Sequence, residues 1–515
     1  MKSSKHDGNL GFSTDCIISG TDKLFVYLTM LFSCILFHGF IPSEFLIGTM
    51  SPIPKSRAGA SCSDKYRAIT LSSCIGRLLD LLILQREGEL FLKTDNLQLG
   101  FKKKCSTTLC TGLLKEIICH FTNGGSDVYA LCLDASKAFD RVEYVKLFES
   151  LLKRNMNCIY LRCLVNLYTN QKLCVKWNGH KSTLFDAKNG VKQGGILSPL
   201  LFSVYMDDLL SQLRSCGSGC YIGPYFCGAL SYADDICLVS PTLDGLKVMA
   251  NVCEKFAEQF EVSFNGEKSQ LIKFSVRRQD LECPKDYIYI NWCKVICGDS
   301  VVHLSHKLFS NPRLDDMDSV INNFNRQFNI FRAKFQCVPA QVKNALFVAY
   351  CTSLYGIQLC DLQKSSKLHV AIRKSIRSIW GLSYRTHSRL LPCLTESLCS
   401  VHSCTKRFLK FASSVLQHEF TVVKYIFRQA LTHSDSVFCR NVQFASNLCR
   451  LDISQFDQND ILPAVHNACY TNCRTATEVV TGIAIKDLVL VTQGQSHAVL
   501  NIDESLTLLN FLCIN

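Results

Sequence analysis

Two acidic stretches about a hundred residues apart, each seated at the end of an apolar run, constrain this chain more than any other feature. The downstream one is Gly228–Ser240, GALSYADDICLVS. Apolar residues lead into Tyr232-Ala233-Asp234-Asp235, and Ile236–Val239 leads out. Two short β-prone runs about a tight polar centre predict a hairpin with two carboxylates at its tip. The upstream stretch is Val128–Asp140, VYALCLDASKAFD, in which Val128–Leu133 is short enough to be a buried strand and Asp134 ends it. A helical pattern follows, with Tyr144, Val145, Phe148, Leu151 and Leu152 spaced by three and four. Side-by-side carboxylates next to a core are costly unless a cation neutralises them. Mg²⁺ favours one or two protein carboxylates and completes its shell with water and phosphate oxygens. Asp134 facing Asp234 and Asp235 would hold two metals, which clamp the attacking and leaving oxygens of an in-line phosphoryl displacement. An isolated Asp-Asp pair would read as an acidic surface turn, and the upstream stretch overturns that reading.

On these residues the chain resembles a reverse transcriptase of the non-LTR (LINE-type) retrotransposon family. The resemblance implies an α+β right-hand polymerase, with fingers and palm built on antiparallel sheet packed on helices, and an α-helical thumb. It divides the chain into a helical lead-in at 1–45, fingers at 46–126, palm at 127–306, helical thumb at 307–450 and a region without assigned role at 451–515. Pro52-Ile53-Pro54-Lys55 and Tyr66-Arg67-Ala68-Ile69-Thr70-Leu71 resemble the two fingers strands, with Ala68 and Thr70 where Pro and Ser are usual. The resemblance puts Lys55 and Arg67 over the incoming triphosphate, and a point cation beside a forked guanidinium suits phosphate oxygens. Gln98-Leu99-Gly100-Phe101, followed by Lys102, Lys103 and Lys104, resembles the next fingers motif, with Ser106 or Thr107 as cap of the helix behind it. The three lysines are candidates for template phosphates.

Phe139, five residues after Asp134, stands where the family places a bulky side chain beneath the sugar. It is the candidate steric gate against a 2′-hydroxyl. Asn189–Pro199 contains the family's G-V-x-Q-G string as Gly190–Gly194, which implies that Gln193 and Gly194 line the nucleotide and template pocket. Ser198 as N-cap with Pro199 at the first helical position then starts a helix. Within that helix Tyr205-Met206-Asp207-Asp208 spells the retroviral form of the catalytic tetrapeptide. Its flanks carry apolar residues at helical spacing, so its two aspartates would project about 100° apart. The catalytic tetrapeptide is therefore placed at Tyr232–Asp235. Phe264–Ser269 resembles the next palm motif, in which Lys268 would lie near the pyrophosphate. Further on, Leu368, Ile372, Ile376 and Ile379 form one helix face while Arg373, Lys374 and Arg377 lie off it, a face that would suit a duplex backbone.

A formal charge of +13 favours an anionic partner without naming one. Thirty cysteines lie scattered with no C-x-x-C pair, and are read as reduced apolar side chains of an intracellular protein. Cys399-x-x-His402-x-Cys404 and His466-x-x-Cys469-x-x-x-Cys473 hint at zinc, but neither has a standard spacing and no site is assigned to them. Leu24–Phe37 is apolar for fourteen residues, short of the ~20 that span a membrane, and reads as a buried helix stopped at Gly39 with no role for a membrane.

The resemblance runs from about Phe40 to Phe274 and fades through the thumb. It implies RNA-directed DNA polymerisation with two Mg²⁺ ions, Mn²⁺ as an alternative, and an RNA template, a DNA primer and deoxynucleotides as partners. Fewer than fifty residues precede the fingers, so the family's upstream endonuclease is expected to be missing. Two rivals stay open: a decayed, non-enzymatic nucleic-acid binder derived from such an enzyme, and an intron-encoded maturase.

Overall fold

The structure, a computed structural model, describes residues 13–55, 62–275, 286–388, 391–392, 398–449, 464–465 and 468–469. The chain is α+β and separates into two packed units. The first comprises Met1–Cys110, Asp127–Lys273 and Arg277–Asp299, and the second Thr111–Ser126, Phe274–Val276 and Ser300–Asn515.

At the centre of the first unit is a six-stranded sheet in the order Tyr287–Ile290, Cys293–Gly298, Gln270–Phe274, Val128–Asp134, Asp235–Ser240, Ala229–Tyr232. Ile236 to Ser240 is buried at every position. An uninterrupted apolar run is what a strand covered on both faces requires. Helix Leu243–Gln259 packs on the Val128–Asp134 and Asp235–Ser240 strands, and helix Ser198–Ser215 on the Ala229–Tyr232 strand. The helix after Asp134 spans Tyr144–Lys153, capped by the Glu143 carboxylate, which accepts from Val145 N and Lys146 N. Its buried face is Tyr144, Leu147 and Leu151, whereas Val145 and Leu152 point to solvent, so the stripe expected from the sequence is shifted by part of a turn.

A second sheet of this unit is built on Ile47–Pro54, antiparallel to Tyr66–Leu71 and parallel to Lys172–Trp177. The parallel pairing covers only Ile47–Met50. Pro52 and Pro54 therefore sit where no amide is needed on that side. The helix predicted near Leu24–Phe37 is Asp22–His38, ended by Gly39 at φ +71°. It is not a buried helix: Leu28, Phe32 and Ile35 face inward, while Phe25, Val26, Tyr27, Met30 and Phe37 are exposed. Burial takes one stripe of an all-apolar helix and leaves the rest. No helix among the described residues is long and apolar enough to cross a membrane. Every described cysteine is a free thiol, and many are core residues.

The second unit is largely helical, with Met317–Lys334, Ala340–Tyr350, Ser366–Trp380, Ser400–Leu416, Thr421–Ala430 and Val437–Cys449. A hairpin of Ser300–His303 and His306–Phe309 precedes them and belongs to the same unit.

Candidate active site

The hairpin expected at Tyr232–Asp235 is present, with Ala229–Tyr232 and Asp235–Ser240 as its strands and Tyr232 paired with Asp235 across a two-residue turn. Asp235 lies directly opposite Asp134 on the neighbouring antiparallel strand. Opposed residues share a face with Cβ atoms about 5 Å apart. Asp234 occupies the turn itself. Burial raises the Asp234 carboxyl, and the Asp134 charge adds to that while Arg67 opposes it. Partial burial, then repulsion from Asp234 and Asp134, pushes Asp235 up to about 6, although its side chain still reaches solvent. The charge of Asp134 thus bears on both carboxyls of the turn, and that of Asp234 on Asp235.

The turn is strained and heavily supported. Ala233 adopts φ +61°, a left-handed conformation that costs an L-residue roughly 1–2 kcal/mol. Gln98, fully buried, accepts from Ala233 N (3.1 Å) and Gly100 N (3.0 Å) and donates from Nε2 to Ser231 Oγ (2.9 Å). Ser231 Oγ in turn donates to Ala233 O at 3.3 Å. The segment is zipped to the strand by Leu99 N to Ser231 O and Ser231 N to Leu97 O. Gly100 lies so close that a Cβ there would be 2.3 Å from Ala233 N. Such strain persists only where its surroundings over-determine it.

Around the carboxylates stand most of the other candidates. Lys268 Nζ is 3.8 Å from Asp134 Oδ2, on a loop tied to the strand end by Asn265 N to Asp134 O (2.8 Å) and Asp134 N to Ser269 Oγ (3.3 Å). Arg67 sits opposite Ile53 on the paired strands Ile47–Pro54 and Tyr66–Leu71 and its charge reaches Asp234, while that of Lys55 reaches Asp140. The Gly190–Gly194 string joins these strands to the end of the Asp134 strand. Gln193 O accepts from Thr70 N (2.7 Å), Gln193 Nε2 donates to Asp140 Oδ1 (3.1 Å), and Val191 N donates to Phe139 O (2.8 Å). Gly194, at φ +104°, faces Thr70 O. Phe139 is half-buried, stacked on Phe202 at 4.5 Å and edge-on to Phe101 at 6.1 Å.

Residues 53–287 match the family described as reverse transcriptase (RNA-dependent DNA polymerase). The matched span is a little under half of the chain. That family is generally dependent on a divalent metal. The chain is similar to the Pol polyprotein of retrotransposable element R2 from Nasonia vitripennis, 30% identical over 217 residues, 42% of this chain and 21% of that protein. It is also similar to the RNA-directed DNA polymerase from mobile element jockey of Drosophila funebris, 26% identical over 404 residues, 72% of this chain and 42% of that protein. The chain thus spans well under two thirds of the curated relatives it matches. A structure of apo telomerase from Candida tropicalis aligns with TM-score 0.41 and 12% identity over 90% of this chain and 76% of that one.

Within the matched span, Tyr205–Asp208 lies in helix Ser198–Ser215, as its flanks predict. Asp207 is buried; its Oδ2 meets Arg154 Nη2 at 2.5 Å and its Oδ1 accepts from Asp95 N at 2.6 Å. The Tyr205 hydroxyl donates to Phe260 O and accepts from Glu143 N. Asp208, more exposed, lies 3.9 Å from the same Arg154 guanidinium, so these side chains brace helices. The helix start differs in one detail: Leu197 holds the N-cap position and Ser198 is the first helical residue, with no side-chain cap.

The basic candidates divide. Lys102 Nζ donates to Thr94 O (2.9 Å) and Asp95 O (2.6 Å), and Arg377 to Thr386 O and Ser388 Oγ, so both carry internal bonds. Lys103, Lys104 and Lys374 are exposed and Arg373 is half-buried. Ser106 caps the next helix, its Oγ accepting from Leu109 N. Sequence reading missed the Gln98–Gly100 support, for which only the family string was a signal. It also missed Lys192, the variable position of G-V-x-Q-G: this lysine is buried, its pKa lowered by that burial, and balanced by Asp80, which burial pushes up to about 6.

Proposed function

We propose that this chain is an RNA-directed DNA polymerase that adds deoxynucleotides to a primer 3′-hydroxyl by two-metal phosphoryl transfer. The observation that carries the reading is the direct opposition of Asp134 and Asp235 with Asp234 in the strained turn beside them. The donor set fits Mg²⁺, since all three are hard carboxylate oxygens and Mg²⁺ keeps room for water and substrate phosphate. In-line phosphoryl transfer is served by two such ions, one for the attacking and one for the leaving oxygen. When bound, such a pair lowers the pKa of the attacking hydroxyl and neutralises the charge developing on the transferred phosphoryl group.

The remaining chemistry belongs to the chain's own side chains. Lys55 and Arg67 hold the triphosphate from the fingers strands, Arg67 also offsetting the charge of Asp234. Lys268 places an ammonium beside Asp134, where it meets the leaving pyrophosphate and can supply its proton. Phe139, fixed by Phe202, closes the floor beneath the sugar so that a 2′-hydroxyl collides with its ring. Gln193 and Gly194 line the nucleotide pocket, and the hydrogen bond from Gln193 to Asp140 sets the side chain's direction. Lys103, Lys104, Arg373 and Lys374 contribute to holding template and primer phosphates.

Purified chain should extend a DNA primer on an RNA template with Mg²⁺ or Mn²⁺ and stop when the metal is chelated. Binding to primer–template without any extension would instead favour the decayed, non-enzymatic reading.

A further inference from the structure

Neither Cys399-x-x-His402-x-Cys404 nor His466-x-x-Cys469-x-x-x-Cys473 has a zinc-binding spacing by itself. The second unit draws one part of each together. Among the described residues, Cys399, His402 and Cys469 are the three metal-capable side chains whose ligand atoms all lie within 4.8 Å of one another. Cys399 is the N-cap residue of helix Ser400–Leu416, and His402, one turn in, brings Nδ1 to 2.7 Å from Cys399 Sγ. Cys469 arrives from nearly seventy residues further along the chain. His402 and Cys469 are 4% and 5% exposed, and Cys399 is half-buried. Among the described residues His402 Nε2 is buried with no hydrogen-bond partner, while Nδ1 meets the Cys399 sulfur.

Cys404 does not belong to the cluster. Two residues along a helix is about 200° of rotation, and Cys404 is buried on the other face. The donor set is two sulfurs and one imidazole nitrogen, with no carboxylate. Such soft ligands select zinc over magnesium. With bonds of about 2.3 Å to sulfur and 2.0 Å to nitrogen, a tetrahedral ion sets its ligand atoms roughly 3.5–3.8 Å apart; the three ligand atoms lie within 4.8 Å of one another, and Cys399 Sγ and His402 Nδ1 would open from 2.7 Å by under about 1 Å to admit it. Two thiolates would also make the buried site electrically neutral.

We propose that Cys399, His402 and Cys469 bind one Zn²⁺ ion, a clasp that ties the chain at Cys469 to the start of helix Ser400–Leu416. Binding releases the two thiol protons to solvent and leaves zinc bound by two thiolates and the neutral imidazole. The fourth position goes to water. The site is independent of the polymerase carboxylates, and its readout need not involve primer extension.

The test uses full chain purified without chelator. About one equivalent of zinc by elemental analysis is expected. Replacement by Co²⁺ should give thiolate-to-cobalt charge transfer and the intense visible bands of a tetrahedral ion. Cys399→Ser and Cys469→Ser should each weaken metal binding at least tenfold and diminish the charge-transfer band, while Cys404→Ala keeps both. Because a variant may misfold, alkylation of the unaltered chain provides a second reading: Cys399 and Cys469 should become reactive only after chelation, with Cys404 unchanged. Absence of zinc and of a cobalt spectrum would overturn the proposal. So would a Cys399–Cys469 disulfide in the purified chain, chelation that leaves both thiols' reactivity unchanged, or metal loss in Cys404→Ala equal to that in Cys399→Ser.

Discussion

The hairpin tip rests on Gly100 with no room for a methyl group. A Cβ at that position would lie 2.3 Å from Ala233 N, 3.0 Å from Tyr232 C and 3.1 Å from Ala233 Cα. All three are backbone atoms, so no side chain can swing aside. Ordinary contact begins at 3.4 Å, and either the Gln98–Gly100 segment or the turn must shift by about 1 Å. A misplacement of that size at a catalytic constellation costs on the order of 100-fold in rate, or about 2.7 kcal/mol in barrier. Overpacking itself costs typically about 1–3 kcal/mol of stability, which leaves the protein folded. Gly100→Ala should therefore bind primer–template within a few-fold of the unaltered chain yet extend it at about 1% of the rate at saturating deoxynucleotide. The assay is single-nucleotide extension on an RNA template, with binding measured in parallel by fluorescence anisotropy. Undiminished extension, or a defect confined to binding, would refute the argument that this glycine sets the position of Asp234.

Phe139→Val should admit ribonucleotides at least tenfold more readily, with deoxynucleotide addition retained; competition between the two nucleotides at one template position reads it, and unchanged discrimination would move the gate elsewhere. Primer–template affinity should fall steeply with salt, because phosphate contacts release counterions, and Lys103→Ala with Lys104→Ala should make the log–log slope shallower by about 1–2; a flat response refutes it. Glu116 is buried, accepts from Ser436 Oγ at 2.7 Å, and is pushed from 4.5 up to about 7 by burial. Its folded pKa is raised, so the charged form costs stability above pH 7 and nothing below the unfolded value near 4.5. Glu116→Gln should then stabilise the chain by on the order of 3 kcal/mol at pH 8 and by little at pH 4.5, measured by urea denaturation.

What could be read from the sequence is local. The Asp134 strand and the Tyr232–Asp235 hairpin declare themselves through continuous apolar runs broken at carboxylates, and Tyr205–Asp208 betrays its helix through its flanks. Expectations fail where tertiary packing chooses among equivalent local options. The apolar Asp22–His38 helix buries one stripe and exposes the rest; Leu147, not Val145, enters the core; Leu197 takes the cap position that Ser198 was expected to fill. Partnerships across long sequence separations leave no local trace. Gln98 supports a turn more than a hundred residues away, and Lys192 balances Asp80 from a position its motif leaves variable. Cys399 and Cys469 belong to separate runs that only the fold unites.

The central claim is that Tyr232–Asp235, and not Tyr205–Asp208, performs the chemistry. Asp234→Asn and Asp207→Asn, compared in the same primer-extension assay and normalised to folded protein, test it most directly. Asp234→Asn should abolish extension while nucleic-acid binding survives, since carboxylates repel phosphate. Asp207→Asn keeps an acceptor for Asp95 N but loses the charge that pairs with Arg154. Arg154 is partly exposed and keeps Asp208 at 3.9 Å, so the loss stays below the roughly 3–5 kcal/mol of a fully buried pair, and this protein should melt earlier and still extend primers within about tenfold. Extension by Asp234→Asn together with none by folded Asp207→Asn would contradict the account.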